Sequence, residues 1–239
     1  MYSPPFSVRP HNAHYEGEYT DRELAWRRVC AIDKARNLKT LLAGRAVESV
    51  LEVGCGTGAV LAAVARAGVG MLHMGVDMAD PSVHLDDDAR AFDIQAYDGA
   101  HLPYGDASFD LVYCSHVIEH VPDPRGLLAE IRRVARGLIY LEVPCELHMR
   151  TTRDALQRTL DIGHINAYTP ESFSLLVQTA DLAPLDSRLF DHSPAVHAFG
   201  GSRLKGSLKS AIRGALLAAS PRWAGRTFTY HFGVLCRPA

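Results

Sequence analysis

Apolar residues along the chain follow two rhythms. Over residues 20–43, Leu24, Val29, Ile32, Leu38, Leu41 and Leu42 recur among charges. This spacing predicts an amphipathic helix opened by Thr20 or Asp21 as N-cap and ended by Gly44. Residues 47–53, VESVLEV, are instead short, rich in β-branched side chains and closed at once by glycines. A buried parallel strand entering a tight turn has that pattern. A helix over 59–67 follows, then strands at 71–76, 92–96 and 109–114. Next come a helix over 123–135, a continuous apolar strand at 138–143, a helix over 169–180 and strands at 183–189 and 227–236. In the 169–180 helix, Thr169 is the expected cap, Pro170 takes the first position and Glu171 lies in the first turn. Strands alternating with helices predict an α/β architecture, with a mostly parallel sheet covered on both faces.

The insertion at residues 191–226 adds a third pattern. Leu204, Leu208, Ile212, Leu216 and Ala219 recur at helical spacing beside Lys205, Lys209 and Arg213. No Asp or Glu follows Asp191, whereas Arg203, Lys205, Lys209, Arg213, Arg222, Arg226 and Arg237 do. The charge is therefore sharply uneven along the chain.

A length of 239 residues, 47% hydrophobic, supports one large core, so a single domain over 1–239 is expected. With 25 Lys and Arg against 27 Asp and Glu, the formal net charge is -2. Nothing global attracts a phosphate backbone, and no nucleic-acid partner is expected. The five cysteines are scattered, odd in number and without CxxC spacing, which points to reduced thiols rather than a zinc clamp or a disulfide framework. Residues 1–19 are rich in Pro and polar groups, and no stretch is long and apolar enough to span a bilayer. A cytoplasmic protein with no transmembrane segment is the expectation.

Candidate chemistry begins at residues 51–58, LEVGCGTG, between a strand and a helix. Gly54, Gly56 and Gly58 let the backbone turn sharply and approach a ligand that a Cβ would push away. Asp77, at the end of the next strand in GVDM, is placed to accept hydrogen bonds from a ribose diol. The two features together predict a nucleoside ligand. Gly54, Gly56 and Ala59 also fit the dinucleotide pattern G-x-G-x-x-G/A, so a nicotinamide oxidoreductase stays open on these residues alone. Glu52 favours another ligand, because a carboxylate there can meet an ammonium group but sits poorly beside a pyrophosphate. A methionine tail carries that ammonium; NAD does not.

With these motifs in order, the chain resembles the class I, Rossmann-like S-adenosylmethionine-dependent methyltransferases of the small-molecule type, including the quinone-pathway enzymes. The likeness runs from LEVGCGTG and GVDM through residues 97–103 (YDGAHLP), 109–112 (FDLV) and 117–121 (VIEHV), and covers residues 15–168. It implies a three-layer sandwich with a mostly parallel seven-stranded sheet whose antiparallel last strand sits beside the fifth. Its parts would be a lid region at 1–45, a cofactor-binding core at 46–190, the insertion at 191–226 and the last strand at 227–239. S-adenosylmethionine would be the cofactor and S-adenosylhomocysteine the product. The resemblance implies that Glu52, Gly54, Cys55, Gly56, Gly58, Asp77 and Met78 hold it, with Asp98, Gly99 and Ala100 at the adenine and Ser115 at the methionine end. Tyr15 and Tyr19 resemble tyrosines that close over the cofactor.

The reaction expected is methyl transfer to an oxygen, or secondarily a nitrogen, of a small-molecule acceptor; a cofactor-binding scaffold without turnover is the alternative. In-line displacement needs alignment, exclusion of water and, for a hydroxyl acceptor, a base. His116, His164 and His120 are the catalytic candidates, each with a structurally bonded histidine as the plain alternative. His116 and His120, four apart beside Glu119, would share one face of a helix and suit a divalent metal. Quinone-pathway relatives bind a metal with a more acidic form of this segment, but its first acid is His116 here, and the reading is no metal. Cys55 reads as a small packed side chain. The insertion fits three roles: a wall over the substrate pocket, recognition of an anionic acceptor by Arg203, Lys205 or Arg213, and contact with an anionic membrane surface.

Overall fold

A computed structural model describes residues 6–7, 19–79 and 85–239. Tyr15 lies outside the described residues. Helix α1 (Asp21–Leu42) leads into β1 (Ser49–Val53), α2 (Ala59–Arg66), β2 (Leu72–Asp77), β3 (Asp93–Ala96) and β4 (Phe109–Ser115). Then come α3 (Pro124–Val134), β5 (Ala135–Pro144), α4 (Arg153–Asp161), α5 (Pro170–Gln178) and β6 (Leu182–Phe190). Helices α6 (Pro194–His197), α7 (Arg203–Ala219) and α8 (Pro221–Thr227) precede β7 (His231–Pro238). The insertion is thus three helices rather than one, Ala135 opens a strand instead of closing a helix, and α4 had no counterpart in the apolar pattern.

The helix starts follow from local chemistry. Thr20 caps α1 in a reciprocal box: its backbone N–H donates to Glu23 Oε2 at 2.8 Å, and its hydroxyl accepts from the Glu23 N–H at 3.3 Å. Thr169 caps α5, with Pro170 in the first turn. Inward-facing Ala31, Ala35, Leu38, Leu41 and Leu42 then press α1 onto the sheet. Each fully buried leucine contributes roughly 1.5–3 kcal/mol.

The seven strands lie in the order β3-β2-β1-β4-β5-β7-β6. Pairings from β3 to β5 are parallel, whereas β7 runs antiparallel to both β5 and β6. The expected seven-stranded Rossmann-like sandwich with its antiparallel last strand is therefore present. Period-2 alternation divides the core. Leu51, Val53, Val112, Cys114, Ile139 and Leu141 face α3 and α5, while Val50, Leu111, Tyr113, Tyr140 and Leu235 face α1 and α2. Chain order reverses between β1 and β4, so the crevice beyond their C-terminal ends is where an open α/β sheet receives a ligand.

Candidate functional site

The glycine loop after β1 is shaped by packing on one side and open on the other. A Cβ on Gly54 would lie 2.3 Å from Val117, and its φ of +78° is in the left-handed region, so contact with the segment after β4 demands glycine here. Gly56, at φ +51°, has open space among the described residues: the nearest of their atoms to an added Cβ is an Arg27 guanidinium nitrogen at 3.7 Å. Its backbone is the part of the loop that a ligand can approach. Gly58 caps α2. Cys55 is buried and packs its sulfur 3.0 Å from the Cβ position of Gly75 on β2, in keeping with a small packed side chain.

Carboxylates brace this loop from two strands. Asp77 accepts the Gly56 N–H at 2.7 Å on one oxygen and the Ala79 N–H at 3.0 Å on the other. Glu52 is 2% exposed and accepts the Tyr113 hydroxyl at 3.0 Å. Burial pushes its carboxyl up to about 8, against the opposing bond from Tyr113. Tyr19 joins the loop through Arg27, whose guanidinium lies 4.1 Å above the ring.

Beyond β2 and β3, Met78 meets Gly99: a Cβ there would sit 2.8 Å from the Met78 sulfur. Asp98 accepts backbone N–H bonds from His101 at 2.7 Å and Ala100 at 2.8 Å. These hold its exposed carboxylate below the ordinary range, His101 first. Ser115, at the end of β4, is buried, with no partner for its hydroxyl among the described residues.

The histidines converge past Ser115, but not as one helical face. His116 adopts φ 60°, and its N–H donates to the Glu142 carbonyl at 2.9 Å. The chain turns there, and residues 118–120 form one 3-10 turn. His116 and His120 consequently enter separate clusters. In the first, His116 Nε2 lies 3.0 Å from His231 Nδ1 and 3.4 Å from Glu142. His231 Nε2 then meets His192 at 2.9 Å, and His192 reaches Asp33 of α1 at 3.8 Å. In the second, His164 Nδ1 bonds Glu146 at 2.9 Å and His120 Nδ1 meets the Gly163 carbonyl at 3.0 Å. Glu119 links the two, 3.6 Å from His116, with both oxygens buried and without hydrogen bonds among the described residues. Ligand atoms of His116, Glu142 and His231, and those of Glu119, His120 and His164, lie within 4.8 Å of one another. Either set is close enough for a cation, though shared protons already account for the contacts of the first.

Environment drives the two candidate histidines apart. Burial, then the charge of Lys34 and neighbouring histidines, keeps His116 well below the usual imidazole value. For His164 burial also lowers, but the Glu146 bond and the Glu119 carboxylate outweigh it and raise the value. Burial lifts Glu119 to about 7. His116 is thus held neutral, whereas His164 is shifted toward its cation. His231 and His192 were not legible beforehand, because no spacing connects positions 116, 192 and 231.

A pH dependence of stability follows. His116 and His231 are both depressed by burial, and His192, Glu142, Glu119 and Lys34 surround them. Below the ordinary imidazole value of 6.5 the unfolded chain binds protons that the native state refuses, so their stabilisation is present above that value and lost as pH falls. The thermal midpoint of His231→Asn should decline less than that of the wild type between about pH 7.5 and 5.5. Parallel curves would contradict this.

The insertion closes the far side. Arg213, 8% exposed, bonds Asp191 at 2.8 Å and the Thr229 carbonyl, with its guanidinium 4.3 Å over Tyr230. It clamps α7 to the body and is not available to an anionic acceptor, a correction to that reading. Beneath α7 and α8 runs an open groove of about 1250 Å³ bounded by Arg36, His148, Arg188, Leu217, Arg226 and Phe232. Asp191 and Phe232, which line it, adjoin His192 and His231 in sequence.

Comparison with known proteins identifies the family. The methyltransferase domain family matches residues 21–187. An uncharacterized methyltransferase of Mycobacterium marinum is 31% identical over 195 residues, 77% of this chain and 68% of that protein. A ubiquinone biosynthesis O-methyltransferase of Thiobacillus denitrificans is 36% identical over 103 residues, covering 40% of this chain and 41% of the relative. The matches span between 34% and 41% of the length of the first curated relatives. Among solved structures, geranyl diphosphate methyltransferase in complex with GPP and sinefungin shares the fold, with TM-score 0.62 and 14% identity over 86% of this chain and 78% of that one. On the family match and the sheet order together, the chain belongs to the methyltransferase domain family, the S-adenosylmethionine-dependent group to which its motifs pointed.

Proposed function

We propose that this protein moves the methyl group of S-adenosylmethionine to an oxygen, or secondarily a nitrogen, of a small acceptor, with His116 taking the proton released. The carrying observation is the set of buried polar atoms on Ser115 and Glu119 that have no hydrogen-bond partner among the described residues, beside the neutral His116 at the end of β4 next to the glycine loop. Buried polar atoms without partners cost free energy, and a ligand that satisfies them explains their retention. The open backbone of Gly56 fits an adenosine ligand, and no cation is invoked.

S-adenosylmethionine supplies a methyl on a sulfonium centre. Asp77 binds the ribose diol while keeping the Gly56 N–H in place. Asp98, Gly99, Ala100 and Met78 take the adenine, Ser115 and Glu52 serve the amino-acid end, and Tyr19 closes over it. His116 accepts the acceptor's proton, its ring aligned by His231 and Glu142. His164, raised toward its cation by Glu146, orients an electron-rich acceptor, with His120 edge-on to it at 4.7 Å. The ubiquinone biosynthesis relative is named an O-methyltransferase, which supports oxygen over nitrogen.

Calorimetry with S-adenosylhomocysteine tests the reading. Asp77→Ala should weaken binding at least about tenfold, near 1.4 kcal/mol, through loss of charge-assisted bonds. Unchanged affinity would remove the ribose assignment, and binding without turnover on any hydroxyl or amine acceptor would leave a scaffold.

A further inference from the structure

Helix α7 buries one face against the body, and its opposite face is exposed among the described residues. Gly206, Ser210, Arg213 and Leu217 recur on its inner side. A Cβ on Gly206 would lie 2.7 Å from Ala198 backbone, so α6 is seated directly on the helix there. The other side carries Leu204, Leu208, Ala211, Ile212, Ala215 and Ala219, a single stripe at i, i+4, i+7, i+8, i+11 and i+15. Leu204, Leu208 and Ile212 are 80%, 60% and 57% exposed. Fifteen residues of rise make the stripe about 22 Å long.

Charge identifies what would cover it. Lys205 and Lys209 flank the stripe, Arg203 opens the helix, and exposed Arg222 and Arg226 follow on α8. None of these five is in an ion pair among the described residues, and residues 192–239 contain no acid. On α8, Trp223 is 54% exposed, with Arg226 5.9 Å from its ring. An exposed leucine stripe edged by lysines, with arginines and a tryptophan beside it, is the composition of a helix that lies in a lipid interface. No helix among the described residues is long and apolar enough to cross a membrane, so the contact would be with the surface. A second copy is disfavoured, because pairing through this face would set lysines against lysines with no acid on the helix to answer them.

We propose that the outer face of α7, with α8, docks on a membrane surface containing anionic lipid. The proposal goes beyond the reaction and does not depend on it.

Flotation of the full chain with phosphatidylcholine vesicles, with and without about 30% phosphatidylglycerol, tests this. Binding is expected on the anionic vesicles, little on neutral ones, and release at about 0.5 M salt. Leu208→Glu with Ile212→Glu, and separately Lys205→Glu with Lys209→Glu, should each cut the bound fraction about tenfold at unchanged circular dichroism and thermal midpoint. Absence of binding to the anionic vesicles overturns the proposal. So does undiminished binding in both folded variants, or a wild-type dimer that Leu208→Glu dissociates while vesicles bind neither form.

Discussion

His116→Asn should lower turnover on a hydroxyl acceptor by about 10²- to 10⁴-fold at neutral pH, the usual contribution of a positioned base. Asparagine is the informative replacement. Position 116 holds φ 60°, and asparagine tolerates the left-handed region better than most residues. The turn after β4 should therefore survive while the proton acceptor is lost. Affinity for S-adenosylhomocysteine is expected to stay within about twofold, because cofactor contacts and proton removal are separate functions of the crevice. The deficit should narrow as pH rises toward the acceptor's own ionisation, where no base is needed. A merely structural histidine would give a deficit that does not change with pH, and an undiminished rate at neutral pH would remove His116 from the chemistry.

Arg213→Ala is expected to cost about 3 kcal/mol of stability. The guanidinium and its Asp191 partner are each only 10% exposed in their side chains, and the Thr229 carbonyl depends on the same group. Truncating one member of a buried pair strands the other, at about 3–5 kcal/mol. In a chain of this size that corresponds to a fall of roughly 6–12 °C in the thermal midpoint. Arg213→Lys should recover only part of it, since an ammonium cannot reach Asp191 and Thr229 in the planar manner of a guanidinium or stack on Tyr230 and Phe228. A midpoint within about 1 °C of the wild type for Arg213→Ala would show that α7 is held by its other contacts.

Much of this molecule was readable from its residues, for identifiable reasons. Strands β1, β4 and β5 are buried on both faces, so their apolar runs are continuous, and the caps at Thr20 and Thr169 carry their own local signals. Helix α4 escaped because it is nine residues long, none of them buried, and its apolar face is only Ala155, Leu156 and Leu160; the cap at Thr152 and Asp154 in its first turn also marked it. Glycine loop and Asp77 were legible as a local strand-turn-helix motif with an acid one strand on. Their mutual hydrogen bond was not, since only the parallel register of β1 and β2 brings residues 56 and 77 together. The histidine pairs failed for a different reason: helical spacing of 116 and 120 held no information once His116 entered the left-handed region. Charge imbalance in the insertion was visible, but one of its cations, Arg213, had already been consumed by the core.

Strand β7 occupies the slot between β5 and β6 although it follows both in the chain. During translation, residues 135–144 and 182–190 must therefore wait with facing backbone edges open, because the piece that joins them has yet to emerge. Open edges of this kind recruit other strands. Completion of this half of the molecule is tied to synthesis of residues 231–238, and a nascent-chain chaperone that shields strand edges over that interval should raise the yield of native protein.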